Sequence, residues 1–237
     1  MHDTFAALLF AHVLADFVLQ TNAMVATKHQ PLTMTKHGAV VLVTAALATG
    51  TASPWLLALT VAHLAIDAVK TTSGRSGIRP FLLDQAAHLA TLLALTLWQP
   101  DLVAQGVWAN LPLAASWMTL AAGAILATRA GGFAVGLLME PWTAAAPPGL
   151  PGGGRTIGNL ERGLIFLLIL TGQAQSIGFL IAAKSVLRFG SISNEKEVSE
   201  YVIIGTLASF IWGIAVSVVT VVMLTFLPAL GIPDLLP

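Results

Sequence analysis

Charge is what this sequence has least of. Only 9% of its 237 residues are Asp, Glu, Lys or Arg, where an ordinary soluble domain carries about 25%. Cysteine is absent, which excludes disulfides, thiolate metal ligands and a cysteine nucleophile. Any metal ion would have to be held by His and carboxylate. The 11 basic and 11 acidic residues cancel, so no basic field exists for nucleic acid, and none is expected as a partner. There is no glycine-rich phosphate loop, no dinucleotide-binding fingerprint and no G-x-S-x-G nucleophile elbow. The start, MHDTF, lacks a basic n-region. A cleaved signal peptide is therefore not expected, and the first apolar segment should remain as a helix.

Apolar sequence fills the space that charge leaves. The chain is 56% hydrophobic, with mean hydropathy +0.84. This predicts an all-α, polytopic transmembrane helical bundle of about seven helical segments plus interfacial pieces. The first segments run over about 4–20, from after His37 to near Gly50, 54–70 and 80–98. The connectors 21–36 (Lys28, Lys36) and 71–79 (Arg75, Arg79) are basic, whereas 51–53 and 99–110 carry no Lys or Arg. The positive-inside rule then puts the basic connectors in the cytoplasm and the N-terminus outside, in a multi-pass protein of the bacterial inner membrane. Residues 112–146 read either as two spans or as one span plus an interfacial helix, with Arg129-Ala-Gly-Gly as the break and Pro141 as a stop. A Pro/Gly linker, 147–155, separates a front bundle, 1–146, from a two-helix carboxyl-terminal part, 156–237. In that part, 156–187 reads as one long segment and 200–227 as another.

Three of the front segments each carry one His and one acid four residues apart: His12/Asp16, His63/Asp67 and Asp84/His88. Positions i and i+4 share a helix face. The order reverses in the third pair. If that helix runs opposite to the second, all three acids lie nearer one membrane surface. The three imidazoles then share a depth of roughly 10–12 Å. Ionisable residues inside a bilayer are costly and need partners. Each pair could simply satisfy itself as a local hydrogen bond. The matched depths favour a single intramembrane constellation, a candidate metal site.

Imidazole and carboxylate suit a divalent ion such as Zn²⁺, Mn²⁺ or Fe²⁺. The candidate ligands are His12, Asp16, His37, His63, Asp67, Asp84 and His88. The division between direct ligands and residues that orient them stays open, as does one octahedral ion against a two-metal site. Asp16, Asp67, Asp84 and Lys70 are the candidate catalytic groups. Gln20 and Gln85 extend the polar face, and Lys70 could meet an anionic group or simply anchor the helix at the surface. In the back half, Lys184 and Arg188 share a helix face and could bind phosphate or lipid headgroups. Glu161 joins them as a candidate, with an ion pair to Lys or Arg as its plainer role.

The stretches HVLADFVLQT (12–21), AHLAIDAVK (62–70) and FLLDQAAHLATL (81–92) resemble a bacterial inner-membrane family called domain of unknown function 3307 (DUF3307). GRTIGNLERG (154–163), TGQAQSIGFLIAAKSVLRFG (171–190) and EYVIIGTLASF (200–210) are similar to the carboxyl-terminal hallmark of its members. The resemblance spans most of the chain except about 99–150. It implies a polytopic membrane protein and no particular activity. The motif positions it carries over are His12, Asp16, Gln20, His63, Asp67, Lys70, Asp84, Gln85 and His88. A looser similarity links the short His/Asp motifs to integral-membrane metal-dependent hydrolases.

Three functions fit these residues. The first is a membrane-embedded metal-dependent hydrolase acting on a lipid or lipid-linked, possibly phosphorylated, substrate from the cytoplasmic side. The second is a transporter for a proton, metal ion or anion, and the third a structural or assembly subunit. Membrane lipids are the expected partners, and the oligomeric state stays open.

Overall fold

The computed structural model describes residues 1–146, 149–189 and 196–231, with backbone alone for 185–189. All regular structure among these residues is helical. Six stretches are long and apolar enough to cross a membrane: His2–Leu19, Pro31–Thr49, Pro54–Ser73, Ile78–Trp98, Ala114–Ala145 and Lys196–Leu224. At about 1.5 Å per residue, a helix of this kind covers the roughly 30 Å of a hydrocarbon core. The expected all-helical bundle is thus present. Contacts group the helices into two units, Met1–Ile125 with Met223–Leu230, and one built on Leu126–Val222.

The first unit is arranged around α1 (His2–Leu14), which a π-helical turn, Ala15–Leu19, prolongs. Helix α1 packs against α3 (Pro31–Thr49), α5 (Ile78–Trp98) and α6 (Ala114–Ile125). Its Ala6, Ala7, Leu8, Ala11, Val13 and Ala15 are each at most 3% exposed. A helix apolar on all sides belongs in the interior, and its alanines let neighbouring backbones approach closely. The short α2 (Asn22–Ala26) begins at Thr21, whose hydroxyl accepts from Met24 N–H at 3.2 Å. Helix α4 (Pro54–Ser73) starts with Ser53 as cap and Pro54 in the first turn, where proline loses no helical hydrogen bond. It packs between α3 and α5.

The polar stretch after α5 is pinned back onto the unit. Gly50 ends α3 with φ +68°. Its carbonyl accepts from Val107 N–H at 3.0 Å, and Trp108 Nε1 donates to Leu47 O at 2.7 Å. Thr4 donates to Pro100 O at 2.7 Å, tying α1 to the same connection.

Residues 114–145 do not form two separate spans. They make one helical stretch: α6, a π-helical turn (Leu126–Ala130), α7 (Gly131–Met139) and a 3-10 turn (Glu140–Ala145), the last kinked at Trp142 (φ −112°, ψ 15°), just after the expected stop at Pro141. Arg129-Ala-Gly-Gly loosens this helix without ending it, because a π turn accommodates an extra residue while keeping the backbone hydrogen-bonded.

The segment 156–187 is also not one helix. In the second unit, α8 (Gly153–Leu170) and α9 (Ile177–Phe189) are separated by a turn at 171–176, where Gly172 has φ +70°. Gln173 and Gln175 are exposed at that break. Helix α10 (Lys196–Leu224) completes the described chain. Pro147 and Pro148 of the expected linker lie outside the described residues.

The second unit holds one buried cation. Arg162 on α8 is 2% exposed. Its Nε donates to Ala127 O (2.9 Å), Nη1 to Ser209 Oγ (2.8 Å), and Nη2 to Thr128 O (3.0 Å) and Asn159 Oδ1 (2.8 Å). Trp212 Nε1 donates to Leu126 O at 2.9 Å. Three carbonyls at the start of the π turn therefore take side-chain donors from α8 and α10. Gly131 makes room, since a Cβ there would stand 2.6 Å from Trp212 Cδ1 and 2.8 Å from Arg162 Nε.

Two stability outcomes follow. Gly50→Val forces a β-branched residue into a left-handed conformation and against Trp108, at a cost of about 1–3 kcal/mol. It should lower the melting temperature in detergent, and an unchanged melting curve would contradict this account of the α3 terminus. Arg162→Met leaves buried acceptors unpaired and should cost about 2–5 kcal/mol. Arg162→Lys should recover only part of that loss, because an ammonium lacks the guanidinium fork. Equal stability of the Met and Lys variants would contradict the proposed role of the fork.

Candidate metal centre

The i, i+4 pairs of α1, α4 and α5 meet inside the first unit, and α3 adds His37. The π-helical turn carries Asp16, and its Gln20 N–H reaches back five residues to Ala15 O at 3.0 Å. Imidazole centroids lie 4.1 Å apart for His63–His88, 5.1 Å for His12–His88, 5.2 Å for His37–His63 and 5.6 Å for His12–His63. All four histidines, Asp67 and Asp84 are buried, and the Asp16 side chain is 8% exposed.

Two ring nitrogens of this cluster stand together, and two carboxylate oxygens each approach both of them. His37 Nε2 lies 3.1 Å from His63 Nε2, 3.4 Å from Asp16 Oδ1 and 3.3 Å from Asp67 Oδ2. His63 Nε2 lies 3.3 Å from Asp16 Oδ1 and 3.4 Å from Asp67 Oδ2. A tetrahedron with metal–ligand arms of about 2.0–2.1 Å has edges of about 3.3–3.4 Å. His37 and His63, with either Asp16 or Asp67 as the third donor, therefore offer an ion three edges of about that length. Two ring nitrogens this close either share a proton or face a common cation. Asp16 Oδ1 and Asp67 Oδ2 are buried without a hydrogen-bond partner, since the nearby ring nitrogens are close but poorly aligned.

A second group shares Asp67. His88 Nε2 lies 3.7 Å from Asp67 Oδ1 and 3.6 Å from Asp84 Oδ1. Both ring nitrogens of His88 and Asp84 Oδ1 are buried without hydrogen-bond partners. His12 adjoins, with Nδ1 3.7 Å from Asp16 Oδ2 and Nε2 3.3 Å from Gln85 Oε1. Gln85 Nε2 in turn donates to Asp84 Oδ2 at 3.1 Å.

Two ammonium groups close the cluster. Lys70 Nζ, on a side chain 37% exposed, donates to Asp84 Oδ2 at 2.8 Å. Lys28 Nζ reaches Asp67 Oδ1 at 2.6 Å from the connector before α3, with its side chain 15% exposed. Lys28 was not among the residues that spacing singled out. It sits in a polar connector with no helical partner at i±4, so the sequence offered only a local positive charge.

The structure thus brings together His12, Asp16, His37, His63, Asp67, Lys70, Asp84, Gln85 and His88. Gln20 follows the π turn, and its Nε2 is buried without a hydrogen-bond partner. The back-half candidates form a separate arrangement in the second unit. Lys184 Nζ donates to Glu161 Oε2 at 2.7 Å and lies 5.3 Å from the Phe210 ring centroid. Glu161 therefore has the ion pair that was its plainer reading. The Arg188 side chain lies outside the described residues.

No curated protein and no solved structure matches the chain. The match to a protein family covers the stretch that holds the whole centre and ends before the carboxyl-terminal motifs: residues 4–111 match the family described as Protein of unknown function (DUF3307).

Proposed function

We propose that this protein is a membrane-embedded, metal-dependent hydrolase acting on a lipid or lipid-linked, phosphorylated substrate. The observation that supports the reading is the close approach of His37 Nε2 and His63 Nε2, 3.1 Å apart, with Asp16 Oδ1 and Asp67 Oδ2 each within 3.4 Å of both nitrogens.

His37, His63, Asp16 and Asp67 are the residues that would hold a divalent ion, which would supply acidification of water and polarisation of a phosphoryl or acyl oxygen. The chain's own groups then have distinct tasks. In the one-ion form Asp84, held through Oδ2 by Lys70 and Gln85, keeps Oδ1 open and is placed to take a proton from water as general base. Lys70, the most exposed group of the cluster, meets the anionic part of the substrate, and Gln85 holds the Asp84 carboxylate in place. The positive charge of the connectors supports a cytoplasmic mouth in a bacterial inner membrane, with the N-terminus outside, as part of this proposal.

One observation favours a second reading, a proton-linked transporter. The four imidazoles form a continuous series with centroid separations of 4.1–5.2 Å along His37–His63–His88–His12. A proton relay in a membrane is built from such groups.

Elemental analysis of the detergent-purified protein separates the two. The hydrolase reading expects near-stoichiometric Zn, Mn or Fe in the native protein. That metal should be lost in His37→Ala and Asp67→Asn variants that remain helical and monodisperse. A metal-free native protein that also fails to take up Zn²⁺, Mn²⁺ or Fe²⁺ on reconstitution would overturn it and leave the relay.

A further inference from the structure

The cluster contains more ligand capacity than one ion uses. Asp67 presents its two oxygens to different groups. Oδ2 faces His37 and His63, and Oδ1 faces His88 at 3.7 Å. Asp67, Asp84 and His88 can each offer a ligand atom within 4.8 Å of the others, with His88 Nε2 3.7 Å from Asp67 Oδ1 and 3.6 Å from Asp84 Oδ1. Two of these atoms are buried and unpartnered, His88 Nε2 and Asp84 Oδ1, on side chains 1% and 5% exposed. The third, Asp67 Oδ1, is engaged by Lys28 Nζ at 2.6 Å.

The geometry points to a second divalent-cation position at Asp67, Asp84 and His88, bridged to the first by the Asp67 carboxylate and held closed by the Lys28 ammonium. This rests on the metal reading of the first set and specifies how many ions the centre takes. The charge balance gives the reason. One divalent ion turns the net charge of the three carboxylates and two lysines from minus one to plus one. A second would raise it to plus three in a buried site unless an ammonium left.

Lys28 is the lysine in the way, because its Nζ lies on a ligand atom. Lys70 contacts Asp84 Oδ2 and leaves Oδ1 open. Lys28 also stands in the connector between the first two spanning helices, so it can withdraw without unpacking a span. In two-metal hydrolytic sites a carboxylate-bridged pair of ions, about 3.5–4 Å apart, clamps both the attacking and the leaving oxygen. Displacement of Lys28 would convert a one-ion centre into that form.

The test is metal stoichiometry with Mn²⁺ as the probe. Native protein and the Lys28→Met, Lys28→Gln and Lys70→Met variants are reconstituted in detergent with excess Mn²⁺ and desalted. They are then read by elemental analysis and electron paramagnetic resonance. The expected result is one Mn per chain in the native protein and in Lys70→Met, and a rise to two in both Lys28 variants. An exchange-coupled signal should accompany that rise and disappear when Asp84→Asn is added. One Mn per chain in the native protein and still one in both Lys28 variants would overturn the second site and leave the first intact. A rise to two in Lys70→Met as well would overturn Lys28 as the specific gate, since total charge would then set the count. No bound Mn in any form, with Zn²⁺ and Fe²⁺ also refused when offered in its place, would overturn the metal reading itself. Should Lys28→Met fail to stay monodisperse, the polar Lys28→Gln decides the same question.

Discussion

Asp67 is the group on which the first unit depends. Its carboxylate lies inside an apolar bundle, 1% exposed, where an unpartnered charge would cost several kcal/mol. Partners reach it from three sides: His37 from α3, His88 from α5, and Lys28 from the connector, with His63 one turn away on its own helix. No local hydrogen bond within α4 could satisfy both oxygens. The carboxylate therefore requires α3, α4, α5 and the connector to converge, and the apolar faces of those helices do the rest of the packing. The polar centre is a constraint on which helices meet and at what depth.

The second unit meets the same demand with the opposite charge. Arg162 is buried among neutral acceptors, two of them carbonyls of the π-helical turn. A π turn leaves carbonyls poorly served by the helix itself, and the guanidinium and Trp212 supply the missing donors. Small residues at 131 and 213 keep the space that the Arg162 side chain needs. In each unit a buried ionisable residue stays charged because several elements turn polar atoms toward it. In each, an irregular helical turn lies close by: Asp16 stands in one, and Arg162 caps the other.

The parts legible in the sequence were those with a short repeat. Runs of apolar residues marked the spans, because a bilayer demands a fixed length of hydrocarbon-compatible helix. The i, i+4 spacing of His12/Asp16, His63/Asp67 and Asp84/His88 marked faces, and the reversed order in α5 matched a helix running back. His37 was visible as a candidate but not as a neighbour of His63, since a single residue has no spacing to measure. The Lys28–Asp67 contact could not be read at all, because it joins residues 39 apart through a connector whose path local periodicity does not define. The single stretch through 114–145 was not legible for a related reason. Arg129-Ala-Gly-Gly breaks hydropathy but not hydrogen bonding, and a π turn is invisible to composition. The break at 171–176 was the reverse case: apolar flanks hid a glycine that turns the chain.

What the sequence determined by itself was the class of molecule and the inventory of its centre. Scarce charge and long apolar runs force helices that satisfy their own backbone in a membrane, and His and Asp at helical spacing force those side chains onto shared faces. Only the tertiary structure decided which donors stand together. The approach of Asp16 and Asp67 to the His37–His63 pair, at 3.3–3.4 Å, the division of Asp67 between two groups, and the entry of Lys28 all depend on how separate helices are rotated and shifted against one another. That relative placement is set by packing between segments distant in sequence, and no local pattern encodes it.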